Sequence, residues 1–253
     1  MKILCWGKSD TGQVRKRNED SFLINEELNL FAVADGMGGH AGGEKASRLA
    51  VETLETRLGA ADLADGESQG VSAEDAAGRE LREAAEAAGR AIFDLAERDE
   101  TLAGMGTTLT ALMLYGGRAY LAHVGDSRAY LLRDNNLRQL TLDHTWIEEQ
   151  VRSGFLSRDE AEQSSLKHVV TRSVGFERDV VVDVLAMPVI AGDCFFLCSD
   201  GISNHFADRE FLALFNRGFY SQLPGMLVDS GNKRGGEDNM TAVVVYVGNE
   251  LSK

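Results

Sequence analysis

Apolar positions along the chain switch between two periods. Asn29-Leu30-Phe31-Ala32-Val33-Ala34 is a continuous apolar run that stops at Asp35-Gly36, the pattern of a strand buried on both faces. Five glycines within 36–43 then exclude regular structure and predict a loop with close backbone approach. Ala46, Leu49, Ala50, Thr53, Leu54 and Leu58 share one helical face. Residues 59–73 are small and acidic and read as a surface connection. Leu81, Ala84, Ala85, Ala88, Ala91, Ile92 and Leu95 recur at steps of three and four, a second helix whose small side chains allow close packing on a neighbour. From Gly106 the period shortens to that of strands. Thr107 to Tyr115, Arg118 to Val124 and Arg128 to Arg133 form a meander punctuated by Gly116-Gly117 and Gly125-Asp126. Residues 144–173 are polar without a strong apolar period. Strands resume at Val180 to Met187 and Asp193 to Cys198, two helices are expected between Asp208 and Ser230, and Met240 to Val247 closes the chain as a strand.

Strands at both ends and in the middle, with helices arriving in pairs, are most economically satisfied by two packed sheets with helices outside. The chain has 253 residues and only two prolines, so no proline-rich linker divides it, and no internal repeat is present. A single domain over 1–253 is expected, with an inserted flap subdomain at about 145–173.

Charge narrows the partners. Lys+Arg number 26 against 40 Asp+Glu, a formal net charge of −14 that repels nucleic acid and anionic lipid. The apolar start Met1 to Trp6 is too short for a signal peptide, so a cytoplasmic protein is expected. Cys5, Cys194 and Cys198 form no C-x-x-C pair and read as free thiols.

Candidate chemistry lies in acidic residues that each sit at the end of an expected strand, after an apolar run and beside a turn-former: Glu19 and Asp20, Asp35, Asp126, Asp200 and Asp238. One Asp-Gly after a strand is ordinarily just a turn. Carboxylates brought together from several strand ends cannot all stay ionised without a cation. Oxygen donors select magnesium, manganese or calcium. Two such ions about 3.5–4 Å apart can bind a phosphate and activate a water. A structural calcium site is the bland alternative, although no EF-hand loop is present. A nucleotide P-loop, a serine hydrolase and a cysteine phosphatase all lack their required spacings, and His123 and His144 read as core or turn histidines.

Seven segments, in order, resemble the metal-dependent protein phosphatases of the 2C type in their compact bacterial form. They are Arg15-Lys16-Arg17-Asn18-Glu19-Asp20, Asp35-Gly36-Met37-Gly38-Gly39-His40, Gly104-Met105-Gly106-Thr107-Thr108, His123-Val124-Gly125-Asp126-Ser127-Arg128, Leu140-Thr141-Leu142-Asp143-His144, Leu197-Cys198-Ser199-Asp200-Gly201 and Gly235-Gly236-Glu237-Asp238-Asn239-Met240-Thr241. The resemblance implies an α+β fold, a four-layer α-β-β-α sandwich of two mainly antiparallel sheets flanked by helices. It implies removal of phosphate from serine and threonine of other proteins, by water activated on two or three Mn2+ or Mg2+ ions and without a covalent phosphoenzyme. Asp35 then bridges two ions, Gly36 lends its carbonyl to one, and Asp200 and Asp238 hold the other. Glu19 and Asp20 orient waters, and Asp126 with Asp200 holds a weaker third ion. Arg15 grips the phosphate, whereas Arg17 sits at the wrong offset. His40 stands between two readings, proton donor to the leaving oxygen or exposed loop histidine. Phosphorylated proteins and an opposing Ser/Thr kinase are the implied partners of a monomer. A silent binding module and a hydrolase of small phosphorylated metabolites are the rivals; the first is disfavoured because every matched carboxylate is present.

Overall fold

A computed structural model describes residues 1–38, 42–63, 73–162, 164, 166, 168–217 and 219–249. The N-terminal part comprises β1 (Lys2–Asp10), β2 (Asp20–Asn25), β3 (Leu30–Met37), α1 (Gly42–Ala60) and α2 (Ala73–Arg98). The meander follows as β4 (Gly106–Thr107), β5 (Leu109–Tyr115), β6 (Arg118–Val124), β7 (Arg128–Arg133) and β8 (Asn136–Gln139). Two short helices, α3 (Trp146–Arg152) and α4 (Arg158–Glu162), fall within the polar stretch. The chain ends with β9 (Asp183–Pro188), β10 (Cys194–Cys198), α5 (Asp200–Ser203), α6 (Asp208–Phe215), α7 (Leu223–Lys233) and β11 (Met240–Gly248).

The strands form two sheets, ordered β1-β11-β10-β7-β8 and β2-β3-β5-β6-β9, with β4 added to β3. Neighbours pair antiparallel. The sheets face each other across Phe31, Val33, Leu121, Leu131, Phe195, Val243 and Val245. Ala32, Ala34 and Ala111 turn to the opposite side of the second sheet, where they pack with Ala46, Leu54, Ala84 and Ala88 of α1 and α2. Phe196, Ala242 and Val244 likewise leave the first sheet outward and pack on Phe211, Phe215 and Leu227 of α6 and α7. Each central strand therefore sends alternate side chains into two different cores, which is why its sequence reads as continuously apolar. The result is the expected four-layer α-β-β-α sandwich.

Some boundaries and elements differ from expectation, among them the strand expected over Thr107 to Tyr115, which is split at Thr108 into β4 and β5. The run expected to stop at Asp35-Gly36 continues as strand to Met37, because β4 supplies partners for Gly36 and Met37. The strand expected from Val180 begins at Asp183; Val180 is instead buried beside Gly89 on the flank of α2. The edge strand β8, unforeseen, is polar and exposed along one side, so it carries no apolar signature.

Candidate active site

The acidic positions gather at one end of the sandwich. Asp20 opens β2 and stands directly opposite Asp35 of β3 in the antiparallel register. Asp126 lies in the turn between β6 and β7, and Asp200 begins α5 with Ser199 between it and β10. Asp20 and Asp238, expected after strands, instead stand at or just before the starts of β2 and β11, because a strand start at this end of an antiparallel sheet lies beside its neighbour's end. With Arg15, Glu19 and Gly36, the residues Asp35, Asp126, Asp200 and Asp238 line one open cavity of about 900 Å³. Asp20 is buried just behind it, 7% exposed.

Side chains with no charge hold this arrangement. Asp20 Oδ2 accepts from Thr241 Oγ1 at 2.6 Å and from Ser199 Oγ at 2.8 Å, so β11 and the residue that follows β10 in one sheet grip the first residue of β2 in the other. Asn239 fastens the approach to β2: its Oδ1 accepts from Glu19 N at 2.8 Å, and its Nδ2 donates to the carbonyls of Thr11 and Arg17 at 2.9 and 2.8 Å. Asp35 N donates to Thr108 Oγ1 at 2.9 Å, and Thr108 Oγ1 lies 2.8 Å from Ser127 Oγ, beside Asp126. His144 clamps the same turn, accepting at Nδ1 from Gly125 N and donating its own backbone N–H to the Gly125 carbonyl. Gly36 is required by contact: a Cβ there would overlap the Gly43 carbonyl and crowd that of Glu19.

The electrostatics are those of carboxylates packed without enough positive charge. Desolvation first, then the charges of Asp20, Asp200 and Asp126, hold Asp35 well above the usual carboxylate range. Desolvation also lifts Asp20 to about 7 against the pull of its Thr241 and Ser199 hydroxyls. Asp126 is likewise pushed up to about 7, by desolvation and then by Asp200 and Asp143. Asp200 and Glu19 are raised, again by desolvation first. Asp20 Oδ1 is buried with no hydrogen-bond partner among the described residues.

These features fit hard divalent cations. The donors are all oxygen, several are held above the usual carboxylate range by burial and by one another, and one buried oxygen is orphaned. Among the described residues no three His, Cys, Asp or Glu groups close into a finished cage. The carboxylates instead ring open space, which suits ions that keep part of their water shell, as magnesium does.

A family model for protein phosphatase 2C matches residues 11–226. The chain belongs to the protein phosphatase 2C family. It is 34% identical over 242 residues to the serine/threonine phosphatase stp of Listeria welshimeri, an alignment covering 94% of this chain and 93% of that protein. It is 38% identical over 240 residues to the serine/threonine protein phosphatase PstP of Mycobacterium tuberculosis, covering 95% of this chain but 44% of that longer protein. The crystal structure of the PstP catalytic domain in complex with two manganese ions superposes with a TM-score of 0.84 at 34% identity, covering 98% of this chain and 99% of that one.

Within this protein phosphatase 2C site, the structure brings together Arg15, Glu19, Asp20, Asp35, Gly36, Asp126, Asp200 and Asp238. His40 lies outside the described residues. Arg15 stands at the cavity rim, its Nη2 donating to Asp238 Oδ2 at 2.7 Å, while Arg17 is exposed and contributes its backbone carbonyl to Asn239. Thr108, Ser127, Ser199, Asn239 and Thr241 carried no assigned role in the sequence. Their one signal is membership of the seven ordered segments, in which Ser127, Ser199, Asn239 and Thr241 lie beside a site acid and Thr108 lies far from any. His123 and His144 are buried, as expected, and burial takes His123 down to about 3. Cys194 and Cys198 are buried with thiols pushed up by desolvation, which leaves them inert as nucleophiles.

Proposed function

We propose that this phosphatase 2C chain hydrolyses phosphoserine and phosphothreonine in other proteins, using manganese or magnesium. The observation that carries the reading is the ring of carboxylates, buried Asp20 facing Asp35 with Asp126, Asp200 and the more exposed Asp238 around one cavity. The two manganese ions of the PstP catalytic domain and the named activity of the Listeria relative support it. Asp35, the Gly36 carbonyl, Asp200 and Asp238 would hold two ions, and Asp126 with Asp200 a third. Bound there, the ions supply an acidified water and offset the charge of the phosphate. Glu19 and Asp20 orient water at the edge of this set, and Asp20 is fixed for that task by two hydroxyls. Arg15, positioned by Asp238, offers a guanidinium fork to two phosphate oxygens. His40 remains the candidate donor to the leaving oxygen. The partners of the reading are phosphorylated proteins and a Ser/Thr kinase whose work the enzyme reverses; the proposed form is a cytoplasmic monomer. Among the described residues no helix is long and apolar enough to cross a membrane.

The test is phosphate release from phosphothreonine and phosphoserine peptides in manganese. Hydrolysis of small phosphorylated metabolites with no activity on any phosphopeptide would overturn the protein-substrate reading.

Arg15→Ala is expected to raise KM with a smaller fall in kcat, because the fork holds phosphate before and during the reaction alike. A charge-assisted pair worth about 1.5–3 kcal/mol corresponds to roughly a ten- to hundred-fold loss in kcat/KM. Arg15→Lys should recover little, and exposed Arg17 should tolerate Ala. Steady-state kinetics on one phosphopeptide check this, and a crippled Arg17→Ala beside an active Arg15→Ala would move the clamp two positions along.

We also propose that the segment at about 145–173 is a flap governing substrate choice. A bridge between Thr145 and Val170 closes its base, and the Arg158–Glu148 ion pair, at 2.7 Å, ties α4 to α3. Replacing 147–168 with a short Gly/Ser linker is expected to alter phosphopeptide preference while sparing an aryl phosphate. Equal loss on both substrates would assign the segment to support of the site instead.

A further inference from the structure

A second cavity, of about 410 Å³, adjoins the catalytic one, and Met37 and Val170 line both. Its wall includes Phe176 and Val181, with Glu177 and Asp179 beside them. Phe176 is 67% exposed and Val181 68% exposed, although Phe176 sits between anchored Val174 and Val180 and Val181 between buried Val180 and Val182. Upstream, fully buried Val174 exchanges two backbone hydrogen bonds with Thr107, at 3.0 and 2.8 Å. Gly175 then turns the chain at φ +91°, where any Cβ would overlap Ile92 of α2. Downstream, Val180 is buried beside Gly89 of the same helix.

The anchoring matters because it removes the ordinary fate of an exposed phenylalanine, which is to fold back onto the core. The turn is locked to α2 and to β4, so Phe176 and Val181 are held out against the solvent. Two apolar side chains kept exposed on the wall of one groove, rather than scattered singly, are what a contact site offers. Its place is tied to the chemistry, since Thr107 also donates from Oγ1 to the Asp35 carbonyl at 2.9 Å. The polar edge carries Glu177 and Asp179 beside Thr171, Ser173 and a single cation, Arg172. Arg172 is engaged by Asp183 at 2.6 Å, and the nearest contact of Asp179 with Arg90 is a loose 4.0 Å.

We propose that this groove is a docking subsite for an apolar side chain flanking the phosphorylated residue of the protein substrate, and that it disfavours acidic residues there. The occupant follows from continuity: a chain whose phosphate reaches the carboxylate ring runs past Met37 and Val170, and the surface beyond them is apolar with an acidic rim. This inference rests on the protein-phosphatase reading and adds to it a sequence preference.

The experiment measures kcat/KM for phosphothreonine peptides carrying Leu or Asp at each flanking position in turn, with an aryl phosphate as the flank-free substrate. Wild type is compared with Phe176→Ala, Val181→Ala and the double variant, in manganese. At one flanking position at least, Leu is expected to exceed Asp by about tenfold, the scale of burying part of an apolar side chain. In the double variant that ratio should fall to about twofold, and the ratio of peptide to aryl phosphate activity should fall with it. Both substituted residues are exposed, so loss of folding is not expected, and a thermal melt identifies it. No Leu preference in wild type, or a preference that survives the double variant, overturns the groove alone. Failure of wild type on phosphopeptides and aryl phosphate together overturns the phosphatase reading and the groove with it. A double variant that changes the sedimentation of the protein and scales all substrates equally reassigns the patch to self-association, which also overturns the proposal.

Discussion

Asp35→Asn is expected to abolish turnover, by on the order of 10²–10³-fold or more, while the metal-free protein becomes no less stable. The two effects share one cause. Desolvation first, and then the repulsion of Asp20, Asp200 and Asp126, hold the folded Asp35 carboxyl well above its ordinary range. Ionising it near neutral pH without a cation costs folding free energy, and the neutral amide removes that cost along with the negative charge that would bind the ion. Asp238→Asn makes the informative contrast. Asp238 is partly exposed, pairs with Arg15 and accepts from Asn239 N, so its loss should cripple turnover without raising stability. Phosphopeptide kinetics at saturating manganese, with melting curves in chelator, separate the cases. Near wild-type turnover in either variant would remove that residue from the proposed ion-holding set, and a destabilised metal-free Asp35→Asn would contradict the repulsion described above.

Chelation is expected to reduce activity to background, with recovery on adding manganese or magnesium, and to leave a protein whose stability depends on pH in an unusual sense. Asp20 and Asp126 titrate near 7 in the folded protein, against about 4 for an unfolded aspartate. The folded state therefore binds more protons than the unfolded state between these values. Their favourable contribution is complete below about pH 4 and is lost as pH rises through about 7. The metal-free melting temperature should fall across that window in response to these groups, and manganese should restore it most at the alkaline end, where the carboxylates are ionised and binding is tightest. Melting curves between about pH 5 and 8, with and without manganese, make the measurement. Full turnover after verified removal of metal would defeat the mechanism, and a manganese effect independent of pH would defeat the linkage.

Much of this was legible in the chain itself. The helical repeat from Leu81 to Leu95 needed only its own spacing, and α2 contains all of it. The continuous apolar runs announced strands buried on both faces, and the ordered motifs around Asp20, Asp35, Asp126, Asp200 and Asp238 announced the chemistry. Local sequence carries these signals because periodicity and turn residues act within a few positions. Other features were beyond its reach. Nothing near Asp35 in sequence says that β3 continues to Met37, because the partner strand is supplied by Gly106 and Thr107.

The acids themselves, and the need for a cation once they meet, were set by the sequence. Which oxygen of Asp20 is satisfied and which is orphaned was set only by tertiary structure. Its hydroxyl partners Ser199 and Thr241 are 179 and 221 positions away, and neither is distinguishable from an ordinary strand-end Ser or Thr until two sheets close over it. The same holds for Phe176, whose hydrophobicity predicts burial. Its exposure follows from a turn locked between Thr107 and α2, since hydrophobic burial is a property of the whole packed chain while residue type is only a local tendency.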